Sequence, residues 1–419
     1  MRRIEEQYPA DIAVIGVHSG KYIAERETLR IRDAALRFRI EHPIVNDRQF
    51  RIWRAYAVRA WPTLVVIDRS GYVVGAHAGE FTAEMLQPLL KALVSMSGPA
   101  DTAKGTLRVG PDTPGTEPGL LRFPEKVAVD SGRIAISDTG NRRVLTGRLE
   151  SSYRMILDRE ITRVSADDSE HHELVSPQGL AFDSNSLYVA DSETHTVFVI
   201  DFRTGLANVV AGTGHQLRST ATENPGALSS PWDLAVVGRT LFVAMAGVHQ
   251  LWAIDLESGT SRVHCGTGGE DIADGPLADA LLAQPMGLTT DGKKLFFADA
   301  ESSAIRWADI DSRGNVGTIV GTGLFDFGDV DGVGENVRMQ HQQGVTLHKG
   351  ELFVADSYNN AIKRLDVQTR TATTFVRGLH EPGGIASADG HLYVADTNAH
   401  KIVVVDFATR ETHELEISS

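Results

Sequence analysis

Only a short list of side chains in this sequence could do chemistry. Thiol exchange requires an attacking thiolate and a second thiol to resolve the mixed disulfide. The chain holds one cysteine, Cys265, in the phrase VHCGTGG at the end of a strand-like run. A lone cysteine forms no internal disulfide and runs no dithiol cycle, so Cys265 reads as buried filler. Cation binding requires converging carboxylates, and Asp326, Asp329, Asp331 and Glu335 crowd into LFDFGDVDGVGE. Closely spaced acids with glycine suit Ca2+, although the spacing departs from the EF-hand loop. A similar Asp-Gly step stands at Asp274–Gly275, so the cluster reads first as a recurring turn and second as a metal site. His195, His249 and His400 share one register with Arg142, Ser303 and Asn360. A zinc site needs its ligands to converge, and positions that recur along a repeat do not, so these read as turn residues. Asp138, Asp191, Asp299, Asp356 and Asp396 likewise suit turn hydrogen bonding. Gly-Thr-Gly stands at 212–214, 266–268 and 321–323; none links a strand to a helix, so no phosphate cradle is expected. His171 and His172 sit in the acidic loop DDSEHHEL and read as solvated.

The elements that hold these residues are repeats. FPEKVAVDSGRIAISDTGNRRV begins at 123, SPQGLAFDSNSLYVADSETHTV at 176 and SPWDLAVVGRTLFVAMAGVHQL at 230. QPMGLTTDGKKLFFADAESSAI follows from 284, HQQGVTLHKGELFVADSYNNAI from 341 and EPGGIASADGHLYVADTNAHKI from 381. Each phrase reads as turn, short apolar strand, polar turn, then a strand ending at an aspartate. Third and fourth strands follow. The aspartate position (Asp138, Asp191, Met245, Asp299, Asp356, Asp396) advances by 53, 54, 54, 57 and 40 residues. The proline position (Pro124, Pro177, Pro231, Pro285, Gln342, Pro382) advances by the same steps. Two markers in one register make chance a poor explanation. Four strands repeated six times predict a six-bladed β-propeller, whose blades cover each other's apolar faces. Long loops at 211–229, 266–283 and 321–340 should gather on one face, where binding surfaces usually lie. The ring should close either through THELEI (412–417) or through TLRVG (106–110).

The first hundred residues differ. DIAVIGVH (11–18), HPIVND (42–47) and AWPTLVVID (60–68) read as strands. RETLRIRDAALRFRI (26–40), residues 48–57 and TAEMLQPLLKALVSM (82–96) read as helices, and RSGYVVGAHAGE (69–80) as a hairpin through Gly71. Alternating strands and helices indicate an α/β layer.

The six phrases resemble the NHL repeat, in which Pro-x-Gly-hydrophobic is followed by hydrophobic-Ala-Asp-Ser/Thr-x-x-His/Arg-x-Ile/Val. Met245 and Gln342 depart from that pattern. VIGVHS, HPIVND, WPTLVVID and the glycine hairpin resemble the C-terminal part of a thioredoxin-like domain, over residues 5–97. The pair resembles the family that joins such a domain to NHL repeats. The resemblance implies that Pro62 falls at the thioredoxin cis-proline, with Trp61 before it, and that the two could line a peptide or thiol-substrate groove. It also implies an earlier strand and a Cys-x-x-Cys helix, which this chain does not contain. That strand would be central in the sheet, so a start too far downstream, or a fragment, is expected; the alternative is a degenerate domain that packs its remains on the propeller.

Charge narrows the partners. Residues 1–104 carry 15 basic and 12 acidic residues, and residues 105–419 carry 26 and 43. So negative a second part argues against nucleic acid, whose affinity comes from Lys and Arg. No apolar run is long enough for a membrane span, and the N-terminus does not read as a signal peptide, so a cytoplasmic location is expected. The reading is mainly β: a partial α/β thioredoxin-like domain (1–97), a linker (98–119) and a six-bladed NHL propeller (120–419). The function expected is non-enzymatic binding of a protein or small-molecule ligand on a propeller face, with no cofactor. A thiol-disulfide oxidoreductase is the alternative if an upstream Cys-x-x-Cys segment belongs to the protein. A metal-dependent propeller hydrolase or lyase is the third.

Overall fold

The structure is a computed structural model that describes residues 1–79, 81, 83–96, 119–167, 170–204, 207–217 and 226–418. The chain divides into two compact units, Met1–Gly115 and Thr116–Ser419. The expected linker (98–119) and the closing candidate TLRVG lie outside the described residues, save Gly119.

The second unit is a closed ring of six antiparallel blades. Their first strands begin at Pro124, Pro177, Pro231, Pro285, Gly344 and Pro382, and each packs against the first strand of the next blade, the sixth against the first. Second strands such as Arg133–Asp138, Ser186–Asp191 and His391–Asp396 are buried along nearly their whole length. A sheet covered on both faces selects such continuous apolar runs, here IAIS, LYVA and LYVA, over alternation. Six apolar clusters fill the six inter-blade spaces. One joins Val127, Ile134 and Ile136 of the first blade to Tyr393, Ile402 and Val404 of the sixth.

Ring closure uses the C-terminal candidate in two steps. Thr412–Glu414 pairs antiparallel with Val403–Val405 as the fourth strand of the sixth blade. The chain then crosses at buried Leu415, and Glu416–Ser418 pairs parallel with Arg154–Ile156 on the first blade. THELEI therefore completes one blade and extends another. The fourth and fifth blades each gain an outer fifth strand, Gly275–Pro276 and Gly332–Val333, formed by the Asp-Gly loops.

In the first unit Gly16–His18 pairs parallel with Ile44–Asn46, and Thr63–Ile67 pairs antiparallel with Val73–Ala78. Helices Arg2–Gln7, Thr28–Arg37, Arg51–Ala55 and Ala83–Met96 accompany them. Among the described residues of this unit strands and helices alternate along the chain. The two strand pairs are separate sheets among the described residues, and residues 12–15 belong to no strand. No helix among the described residues is long and apolar enough to cross a membrane.

Candidate functional site: the throat and entrance face of the propeller

Strand direction gives the ring two unlike faces. The first strands start, the turns after the second strands sit, and the inter-blade loops return on one face, called here the entrance face. The hairpins joining first to second and third to fourth strands lie on the other. In five blades the ladder between the first and second strands shifts register just after the proline. A bulge re-aims the residues that follow it, and here they meet the neighbouring first strand and the channel. The glycine of Pro-x-Gly is a consequence of that packing. A Cβ on Gly179 would lie 2.5 Å from Asp233 Cα, on Gly287 2.6 Å from the Gln343 carbonyl, and on Gly344 2.3 Å from the Gly383 carbonyl. These are distances real Cβ atoms do not reach.

Two blades break the glycine rule, and they break it with opposite charges. Lys126 and Asp233 hold the glycine position of the first and third blades, and Lys126 Nζ donates to Asp233 Oδ2 at 2.6 Å. Asp233 Oδ2 also accepts from the Leu288 amide of the fourth blade at 2.9 Å, while Oδ1 accepts from Leu234 N at 2.9 Å. The lysine stem runs past Gly384, where a Cβ would strike Lys126 Cδ at 2.3 Å. The pair closes the throat. Glu125, Gln178, Trp232 and Gln343 stand around it, and the remaining void is about 10 Å3, close to what one water requires. Reading each phrase by itself missed this site. The signal was present in the fourth position of the aligned phrases, Lys-Gly-Asp-Gly-Gly-Gly.

The repeated polar residues are fasteners. Asp138, Asp191, Asp299, Asp356 and Asp396 each accept from the amide two residues before the proline position: Arg122, Val175, Ala283, Gln340 and His380. Met245 substitutes its sulfur, 3.2 Å from Ser229 N. Burial pushes Asp356 up to about 7, against the pull of hydrogen bonds from Asn359 and Gln340. The histidine register joins each blade to the next. Nδ1 of His195, His249 and His400 accepts from Ser230 N, Gln284 N and Phe123 N at 3.0, 3.1 and 3.1 Å, and the last bond spans the ring closure. Ser303 Oγ and Asn360 Oδ1 do the same for His341 N and Glu381 N. All five residues, with Arg142, are left-handed. Burial lowers His195 to about 4, which keeps Nδ1 free to accept. Thr139, Ser357 and Thr397 add hydroxyl bonds to Pro177 O, Pro382 O and Pro124 O of the following blade.

The acidic loop is drawn into ion pairs. Lys363 Nζ, fully buried, donates to Asp329 Oδ1 at 2.6 Å and Asp331 Oδ1 at 2.7 Å. Arg377 adds two bonds to Asp329, and Asp331 also takes Thr374 N and Oγ1. Asp326 accepts from Thr322, and Glu335 lies in the short turn Gly334–Asn336. Among the described residues no three His, Cys, Asp or Glu side chains are gathered as a metal ion requires. The four candidates are not brought together as ligands. Arg306 repeats the arrangement one blade earlier, binding Asp299 at 2.9 Å and Asp274 at 3.0 Å. Cys265 is buried, and burial pushes its thiol up to about 12. A Cβ on Gly212 or Gly266 would strike the His195 or His249 carbonyl, so those glycines let the chain pass the histidine turn. His171 and His172 fall in the short strand Glu170–Glu173.

In the first unit the Trp61–Pro62 bond is cis. The Trp61 indole donates to Ser19 O at 2.7 Å and packs on Trp53 with centroids 4.4 Å apart. Ser19 Oγ donates to Asp47, which also accepts the first amides of Arg51–Ala55. Burial opposes ionisation of Asp47, yet these hydrogen bonds outweigh it and hold the carboxyl below its ordinary value. Trp61 is thus half structural, with 46% of its surface exposed.

The NHL repeat family matches at residues 174–200 and 379–405. NHL repeat-containing protein 2 of Bos taurus is 34% identical over 95% of this chain and 62% of its own length. Protein SUPPRESSOR OF QUENCHING 1, chloroplastic, of Arabidopsis thaliana is 34% identical over 98% of this chain and 43% of its own length. Among solved structures, a nidogen/laminin complex chain covers 70% of this chain at 16% identity and a TM-score of 0.46. The chain carries NHL repeats and is homologous to NHL repeat-containing protein 2. It spans about three-fifths of the length of that relative.

Proposed function

We propose that this chain is a binding scaffold whose propeller takes a protein or small-molecule ligand on its entrance face. One observation carries the reading: the throat is sealed by Lys126 and Asp233, so recognition happens above the seal rather than through the channel. The same face carries exposed Phe325, 70% accessible, and the long inter-blade loops. The partner co-purified from the protein's own source should be lost with the pair Trp232→Ala and Phe325→Ser. It should be kept with Arg203→Glu and Arg313→Glu on the opposite hairpins. The reverse result would sink the proposal.

We read the first unit as a thioredoxin-like core lacking a central strand. In support, a cavity of about 210 Å3 lies between Ile12–Ile15 and Leu64–Ile67, walled by Leu86, Leu90 and Val94. A strand in that slot, followed by a helix carrying Cys-x-x-Cys, would supply a thiol-disulfide oxidoreductase. Met1–Ser419 alone is expected to show no turnover in an insulin reduction assay, because its one thiol is buried and protonated at neutral pH. Turnover would contradict this.

A further inference from the structure

We infer that the turn and short helix at 48–61 form a docking surface for an acidic peptide segment of a partner protein, independent of the entrance face and of the thioredoxin-like reading. Between Asp47 and Asp68 the chain carries four arginines, Arg48, Arg51, Arg54 and Arg59, and no Lys, Asp or Glu. All four are exposed. Among the described residues Arg48, Arg51 and Arg59 have no side-chain hydrogen bond or ion pair, and Arg54 bonds the Gln49 carbonyl at 2.8 Å. The carboxylate that precedes them is engaged elsewhere: Asp47 is buried and accepts from Ser19 Oγ and from the amides of Arg51, Ile52 and Trp53. The arginines are interleaved with rings that pack together. Trp53 meets Trp61 at 4.4 Å, Phe50 stands 5.7 Å from Trp53 and 6.4 Å from Trp61, and Arg26 Cζ lies 5.3 Å from the Phe50 centroid. Even so, Trp61 keeps 46% and Tyr56 45% of their surface exposed. Exposed Arg, Trp and Tyr in the absence of Lys, Asp and Glu is the composition of an interface centre, not of an ordinary solvated face. Guanidinium forks take carboxylates through paired hydrogen bonds and also stack on rings, so the matching partner combines carboxylates with an aromatic side chain. Nucleic acid offers anions too, but its affinity is summed over many phosphates. Residues 105–419 of the same chain, with 26 basic and 43 acidic residues, oppose such a polyanion far more than a few carboxylates.

The full chain, 15N-labelled at tryptophan, would be titrated at constant ionic strength with acetyl-Asp-Glu-Phe-Glu-Asp-amide, with its neutral counterpart acetyl-Asn-Gln-Phe-Gln-Asn-amide and with a single-stranded oligothymidylate. The Trp61 indole resonance is assigned from Trp61→Phe. A saturable shift of that resonance with the acidic peptide is expected, with weaker binding of the neutral one. Arg48→Gln combined with Arg51→Gln should weaken the acidic peptide about fivefold, the effect of losing two exposed ion pairs, and should leave the neutral peptide unchanged. No saturable shift with the acidic peptide, equal binding of the neutral one, or an unchanged affinity in the double variant overturns the inference. Tighter binding of the oligothymidylate also overturns it and assigns the surface to nucleic acid. A Trp61 resonance that moves with protein concentration alone overturns it in favour of a second copy of the chain. Should the double variant fail to fold by circular dichroism, the comparison of the three probes on the unaltered protein still decides. None of these results touches the entrance-face reading, which rests on other residues.

Discussion

His195 is useful to the fold only while it is neutral. Its Nδ1 accepts the Ser230 amide, and a protonated ring would present a donor to a donor. Because burial lowers its pKa from 6.5 to about 4, its contribution is complete above 6.5 and is lost as pH falls towards 4. Asp356, raised to about 7, acts the other way, favouring the folded state at low pH and less so as pH rises from 3.8 to 7. Comparing variant with parent isolates the histidine. His195→Asn borrows the acceptor that Asn360 already uses in the same register. The urea midpoint of this variant should fall less than the parent's between pH 6.5 and 4.5; equal falls would show that His195 does not carry the effect. Arg306 is the counterpart among ion pairs, since it and Asp299 both have no exposed side-chain surface. Arg306→Met would strand a buried carboxylate, and a loss of about 3–5 kcal/mol is expected in denaturant unfolding. A loss under about 1 kcal/mol would mean that Asp299 takes up a proton at little cost.

At the scale of elements, each blade repeats one set of fasteners, and the sequence displayed most of them without disclosing their partners. The steps of 40 to 57 residues placed the blades and their order. It could not show that Asp329 and Asp331 are matched by Lys363, because that lysine stands 34 and 32 residues away on a third strand. The acids were visible as a cluster; the cation that explains them was one residue among an ordinary alternation. The Pro-x-Gly glycine was legible as a motif, while its cause, the adjacent blade's backbone, is a tertiary fact. Gly344→Ala should therefore cost at least the 1–3 kcal/mol typical of overpacking, whereas Gly350→Ala, with open space around it, should strain only its own positive φ. Thermal melts of the two variants check the order, and a more damaging Gly350→Ala would refute the packing argument.

For the whole molecule, the ring was predictable and the closure was ambiguous. THELEI is short and polar outside Leu415 and Ile417, so its pairing could be settled only by the first blade's free edge at Arg154–Ile156. The first unit was the least legible, since its strand signals were real but its sheet is split among the described residues. The throat went unrecognised because Lys126 and Asp233 are 107 residues apart and each looks like a simple departure from glycine. Closure and throat together are the grounds on which binding at the entrance face is proposed. The most direct test places a photo-crosslinking residue at Glu193 or Phe325 on the entrance face, and at Arg203 or Arg313 on the opposite hairpins, in the protein within its own source. Crosslinks to a partner from the first two positions, and not from the second two, are the result predicted. Crosslinks confined to Arg203 and Arg313 would contradict it and move the binding surface to the other face.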